Sequence, residues 1–417
     1  MVVLFFGDLG TWERVNSLLE EQTIKKSPWH RYQFIVFIMG LFHLKMACAD
    51  AIWRIFINPP DARQDPNSLL KLVGQLKPKE TGKITSDPGF CRMHEVIGHT
   101  SICLHLDAWH VEVNKQLVLC STLEEWAENK PSMEEIMDLS HTLARDYVAG
   151  LGSDHVDLSV LRHDRATRDQ QRENILLMHQ YMLLYEELMH AMNVGDVGHL
   201  ETIFAPWIAI LKACGKHKYA SAITQFLLDV HFVYPEGLRC VVRYNVLVNP
   251  TGQPGKFRGV DWVIELNNLF TKHIYGGSGS NFTKDNVIKE SCLIGVFQNC
   301  HKNVEENFQI PGLTTCKGHK DMKRTFNKLL KYTLDSEPNV SKAGRQARYY
   351  ILDMIEKGLG LIEENEYKVG SDSYRETPGG QERENEDREH EMVDIEMDEE
   401  DLRVELQDHG MFSDDGL

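Results

Sequence analysis

Two β-rich apolar runs, each handing over to a helix within a few residues, constrain this chain more than any other feature. Val2 to Phe6 ends at Gly7-Asp8-Leu9-Gly10-Thr11, where Thr11 is placed to cap a helix from Trp12 to about Gln22. Phe34 to Met39 passes through Gly40-Leu41-Phe42-His43 into a second helix, on which Leu44, Cys48, Ala51, Ile52 and Ile55 form one apolar stripe. Pro59-Pro60 ends it. Strand, helix, strand, helix in this order predicts a parallel α/β arrangement. A buried strand at residue 2 has no lead-in, so the fold is expected to begin upstream and to be incomplete at the N-terminus.

The middle of the chain, from about Thr122 to Val230, reads as helix throughout, with Gly195, Gly198 and Gly215 marking turns. Leu238 to Val248 returns to a β pattern, Cys240, Val242, Tyr244 and Val246 alternating with Arg239, Arg243 and Asn245. A Pro/Gly-rich turn follows, then a helix from about Val260 to His273. The expected fold class is a helix-dominated α/β protein with a small parallel or mixed sheet. Its α/β parts are residues 1–58 and 236–290, with a large helical insertion at 120–232, inside a globular unit of residues 1–365.

The formal charge of −17 is concentrated at one end: Ser371 to Leu417 carries 18 acidic and 4 basic residues, a net −14, which leaves −3 for the rest. Residues 366–417 are therefore expected to be a disordered acidic tail, since like charges and few aromatics cannot bury enough apolar area to offset ordering. The opposite extreme is Lys317 to Arg348, with nine basic and three acidic residues. Such a concentration is the electrostatic footprint of phosphate binding. Lys323, Arg324, Lys328 and Lys331 are the nucleic-acid-binding candidates. The same segment could equally be a solvated helix face or a dock for the acidic tail. No stretch is long and uncharged enough to span a membrane, and nine scattered cysteines without a CxxC pair fit a reducing compartment, nuclear or cytoplasmic.

Several familiar spacings fail on inspection. His94 and His99 stand five residues apart, about 140° around a helix, so they do not form the one-faced pair of a zinc protease. Glu187 and His190 match half of a di-iron motif whose second half is missing. Cys292, Cys300, Cys316 and His319 offer four zinc donors, of which only Cys316 and His319 have the close spacing of a structural site. Phosphate-loop, dinucleotide-binding and serine-hydrolase signatures are absent.

Four carboxylates remain as metal-ligand candidates: Asp8, Asp50, Asp261 and Glu265. Asp8 ends the first strand. Asp50 lies off the apolar stripe of its helix with Arg54 four residues on, the spacing of a plain ion pair. Asp261 and Glu265 share one face of a late helix, beside an apolar face that includes Trp262 and Leu266. Carboxylates at the edge of a core suit a divalent cation, although a helix N-terminus also favours an acid such as Asp261 for its dipole.

These residues carry a resemblance. Gly7-Asp8-Leu9-Gly10-Thr11-Trp12-Glu13-Arg14-Val15, the segment from Gly40 to Ile55, Pro88 to His99, Gly195 to Glu201, Gly215 to Ala220, and Asn249 to Lys272 together resemble the family catalogued as domain of unknown function 6589. The likeness spans roughly Val2 to Ile362. It implies a fungal, mobile-element-associated protein and brings no established activity with it. A transposon-derived protein with an α/β start is expected to have an RNase H-like nucleic-acid-processing core, active or decayed, interrupted by a helical insertion. There, Asp8 would be the first catalytic carboxylate and Glu265 the last, holding divalent metal, Mg in the first instance, for phosphodiester chemistry. His43 or Asp50 would have to serve between them, and His43 is a poor magnesium ligand because hard cations want oxygen. The other reading is a non-enzymatic nucleic-acid- or protein-binding module.

Overall fold

The computed structural model describes residues 2–116, 122–150, 154–163, 167–275, 283–309 and 322–371. The expected acidic tail lies outside the described residues apart from its first few positions, which belong to the last helix.

The first elements follow the expected alternation. Strand β1 (Val3–Gly7) leads into helix α1 (Leu9–Glu21), and β2 (Ile35–Met39) leads into α2 (Leu41–Phe56). The two strands pair in parallel, Val3 opposite Ile35 through Gly7 opposite Met39. Gly40 extends the ladder by one bond, its N–H donating to the carbonyl of Gly7 at 2.9 Å. Strand β1 is not the buried strand its apolar run suggested. Leu4 and Phe6 pack against the core, whereas Val3 and Phe5 remain 40% and 43% exposed, because this sheet has only two strands and nothing covers their other face among the described residues.

Short helices α3 (Leu69–Leu76) and α4 (Thr81–Ser86) precede the long α5 (Phe90–Gln116). Then come α6 (Leu123–Glu128), α7 (Met133–Tyr147) and α8 (Leu158–His163). The central helices are α9 (Gln170–Val194), α10 (Val197–Ala213) and α11 (His217–Leu228). Gly195 ends α9 in the left-handed conformation, at φ 80°, where an L side chain would be strained and would crowd the ring of Phe257.

The segment expected to return to β structure is instead helix α12 (Glu236–Asn245), followed by a two-residue strand β3 (Leu247–Val248) that pairs antiparallel with β4 (Arg258–Gly259). The period-two alternation has no covered face to serve: Tyr244 is 84% exposed. What packs inward is Leu238, Val242 and Val246, spaced four apart, which is helical spacing. The expected helix after the turn is α13 (Val260–Tyr275). Helices α14 (Lys284–Glu290), α15 (Ile294–Asn307), α16 (Lys323–Ser336) and α17 (Met354–Ser371) complete the described chain.

The protein is thus helix-dominated with a small parallel sheet at one edge. Helix α2 is buried along nearly its whole length and packs against α5, α9, α10 and α13. The main apolar core joins the α/β start to the helical middle, running from Leu9 through Tyr181, Tyr185 and Trp207 to Trp262 and Ile351, and a second, smaller cluster forms where α5 meets α7. No described helix is long and apolar enough to cross a membrane.

Candidate functional site

The C-terminal ends of β1 and β2 deliver Asp8 and the start of α2 to one edge of the molecule. Asp8 keeps an extended backbone and accepts the N–H of Thr11 at 2.7 Å, so Asp8 rather than Thr11 caps α1, which begins at Leu9. Helix α2 has Gly40 at its N-cap position and so no side-chain cap of its own. Its first N–H groups are satisfied from far along the chain: Asp261, in the first turn of α13, accepts from Phe42 N at 3.1 Å and from His43 N at 2.9 Å. An anion is favoured there because unpaired N–H groups and the helix dipole converge on it. Two glycines make room. A Cβ at Gly40 or at Gly259 would collide with the Asp261 carboxylate, and at Gly259 also with the backbone N of Phe42.

Asp261 makes a third contact, to Nδ1 of His43 at 2.9 Å. With Nδ1–H donating to the carboxylate, the imidazole is fixed in orientation and presents Nε2 to Glu265, whose Oε1 lies 3.9 Å away. Burial pushes His43 down, but the Asp261 hydrogen bond and the charges of Asp261, Glu265 and Asp8 outweigh it, so its pKa stands above the ordinary imidazole value. Asp8 moves oppositely. Burial pushes it up, while the hydrogen bonds from Thr11 and the charges of His43 and Arg14 bring its carboxyl below the usual range. Asp8 and Glu265, from opposite ends of the domain sequence, therefore act on one imidazole.

The other candidates are placed differently. Asp50 lies on α2 and accepts from Arg54 Nε at 2.7 Å and from Lys216 Nζ at 2.8 Å, which ties the start of α11 to α2. Both oxygens of Asp261 are engaged by α2. Among the described residues, no group of three or more His, Cys, Asp or Glu side chains is arranged to hold a metal ion. Cys292 and Cys300 are exposed, and Cys316 and His319 lie outside the described residues.

Lys323, Arg324, Lys328 and Lys331 are all exposed on α16, whose other face buries Leu329 and Thr333. Not every cation of the basic segment faces solvent. Arg345 is spent internally, forking onto both oxygens of Asp169 at 2.8 Å each, and Lys317 and Lys320 lie outside the described residues.

Sequence reasoning missed two features. One is the capping of α2 by Asp261, for which no local signal exists. The other is a buried polar network in which the rings of His105 and His179 stack at 5.1 Å, His179 Nε2 meets Asn339 Oδ1 at 2.9 Å, and Asn339 Nδ2 donates to Asp107 at 2.8 Å. Arg172 donates to the same Asn339 oxygen at 3.1 Å.

No curated protein and no solved structure matches the chain. A family model does, over residues 1–317, and it takes in β1, α2, α13, His43 and the three carboxylates that act on it. The chain belongs to the family of unknown function DUF6589.

Proposed function

We propose that the protein is a nucleic-acid-processing module of mobile-element origin, built on an RNase H-like core whose catalytic site is active or decayed. What supports this reading is that Glu265 lies 3.9 Å from His43 and that the charges of Asp8 and Glu265 both favour the protonated form of that imidazole, beside the C-terminal end of a parallel strand pair, where α/β proteins place their ligand sites. With Asp50 and Asp261 engaged elsewhere, the residues present do not fit a site with three or more protein carboxylates. What this reading calls for instead is a single magnesium-like cation, which commonly takes one or two carboxylates and completes its shell with water and substrate phosphate. Asp8 and Glu265 would hold it, and it would supply charge stabilisation to a phosphodiester. His43, fixed by Asp261, is the neighbouring proton donor or acceptor.

The test is cleavage of single- and double-stranded DNA and RNA with Mg²⁺ or Mn²⁺ by the full chain, beside Asp8→Ala and Glu265→Ala. Loss of a metal-dependent activity in both variants is expected of an active site. Activity unchanged by both would overturn the catalytic assignment.

The exposed cations of α16 favour a second, non-enzymatic reading, in which the chain binds nucleic acid without cutting it. In that case no variant cleaves, binding weakens steeply with salt, and replacing Lys323, Arg324, Lys328 and Lys331 by Ala removes it. Binding indifferent to both salt and these replacements would exclude α16 as the contact surface.

A further inference from the structure

Helix α16 sets its cations in a row along its exposed face. At about 100° per residue, Arg324, Lys328 and Lys331 fall within about 60° of one another, and all three are exposed. Among the described residues none of the three forms an ion pair, whereas Arg54, Lys77, Arg92, Arg243 and Arg345 each meet a carboxylate. The one acid of α16, Asp335, comes a turn beyond Lys331, so the first three turns are purely basic.

These charges sit at the wrong end of their helix. Lys323 and Arg324 occupy the first turn, which holds no acid and has no side-chain cap. The N-terminal end of a helix dipole is positive and favours anions. Arg324 and Lys328, four residues apart, also repel as a like-charged pair. An anion laid along this face relieves both. The exposed lysine pair Lys25 and Lys26 offers no such row, and Glu20 and Glu21 closely precede it.

The chain carries its own polyanion. From Glu391 to Asp408 nine acidic residues stand against a single base, Arg403, with apolar residues such as Ile395, Leu402 and Leu406 between them. The stretch before it, Asp372 to His390, has seven acids, three bases and no Val, Ile, Leu or Met. The later stretch therefore matches α16 better in charge, and its apolar side chains have a counterpart in Leu334, 52% exposed at the border of the basic row. Both stretches lie outside the described residues. Helix α17 ends at Ser371, which leaves residues 372–390 as the connection. A connection of that length spans at most about 65 Å, and a compact unit of about 370 residues is roughly 55 Å across. Every face of the protein is within its reach.

We propose that residues 391–408 dock on α16, their carboxylates against Arg324, Lys328 and Lys331. Each exposed ion pair is weak alone. Tethering offsets that, because a covalently linked segment meets its site at an effective concentration of about 1 mM or more. The docked segment occupies the cations that phosphates would need. It is thus an internal competitor of any strand that α16 binds; this regulatory role rests on the nucleic-acid reading of α16, and the docking itself does not.

The experiment is carbodiimide cross-linking of the full chain, which joins carboxylates directly to lysine amines in contact, with the products mapped by peptide mass spectrometry. At about 0.01 M ionic strength, where the Debye length is about 30 Å, residues 391–408 are expected to couple to Lys328 and Lys331 at least about fivefold more often than to the exposed Lys25, Lys26 and Lys79. That excess should vanish at about 1 M, where the Debye length is about 3 Å. Arg324→Glu leaves both lysines free to react and should cut the coupling at least about threefold without changing the melting temperature. Glu399→Gln, Glu400→Gln and Asp401→Asn together should act alike from the other side. Coupling spread evenly over the exposed lysines, or an excess that survives high salt or Arg324→Glu, overturns the proposal. So does coupling to α16 from residues 372–390 alone. In a mixture of isotope-labelled and unlabelled chains, products within one chain should dominate; products joining two chains would place the segment on a second copy and overturn the internal dock. No nucleic acid is present, so failure here is separate from failure of the cleavage and binding assays.

Discussion

At the strand edge, His43 lies among carboxylates; in the helical interior, His105 and His179 stack on each other, and His179 bonds to the Asn339 amide rather than to a carboxylate. The same side chain is driven in opposite directions. Asp261, Glu265 and Asp8 outweigh burial and raise His43 above its ordinary pKa. Burial dominates in the interior, taking His105 down to about 4 and His179 to about 3, where the neighbouring His105 ring and Arg172 add repulsion. Fixed carboxylates favour the charged imidazole, while burial without them makes a neutral hydrogen-bonding strut. The first arrangement suits chemistry and the second suits architecture, since His179 and Arg172 both hold Asn339 and so anchor the segment before α17.

The most severe way to break this contrast is Asp261→Ala. It strips the cap from α2 and the partner from His43 at once. A loss of about 3 kcal/mol in chemical denaturation is expected, because buried donors are left unpaired. Asp261→Asn, which keeps acceptor oxygen, should cost clearly less. A loss below about 1 kcal/mol for Asp261→Ala would show that α2 does not depend on this carboxylate.

Acid tests the interior cluster. With folded values of about 4 and 3 against an unfolded value of about 6.5, the unfolded chain takes up protons first. Stability is therefore unaffected above 6.5 and falls as pH drops below it, by about 2 kcal/mol per ring at pH 5. Asp107, whose carboxyl burial pushes up despite its bonds to Asn339 and Thr333, works in the opposite sense at still lower pH. A melting temperature that stays flat from pH 7 to pH 5 would contradict the burial of these rings.

The smallest effect belongs to His43. Its folded pKa is raised, so its contribution is complete below the unfolded value and is lost as pH rises through the folded one. Glu265→Gln removes one of the raising charges, and the His43 proton resonances should then titrate at lower pH than in the parent, with stability changed by less than about 1 kcal/mol. An unchanged titration would separate Glu265 from the site.

Local pattern reached some of this and stopped at its range. The strand–helix alternation around Gly7 and Gly40 was readable because each handover is marked by a glycine and a change of period. The α12 segment misled because Cys240, Val242, Tyr244 and Val246 alternate, yet only the residues four apart found a core to enter. Asp8, Asp50 and Glu265 were visible as acids in promising places. That Asp50 would meet Lys216 as well as the expected Arg54, or that Asp261 would serve a helix other than its own, depends on contacts between distant segments, which no window of sequence contains. For the same reason the stacking of His105 on His179 had no signal.

The pairing of Asp261 with the first turn of α2 also bears on how the chain is made. The partners are 219 residues apart, and at roughly 5–20 residues per second a ribosome needs some 10–40 s to cover that distance. Throughout that interval an intensely apolar helix has left the ribosome without its cap, and α5, α9 and α10, which help enclose it, emerge only one after another. Long-range closure of this kind slows folding and prolongs the time that sticky surface is accessible. Synthesis of this protein should therefore lean on holding chaperones until the β4–α13 junction emerges, and fragments ending before residue 261 should be captured by them rather than released folded.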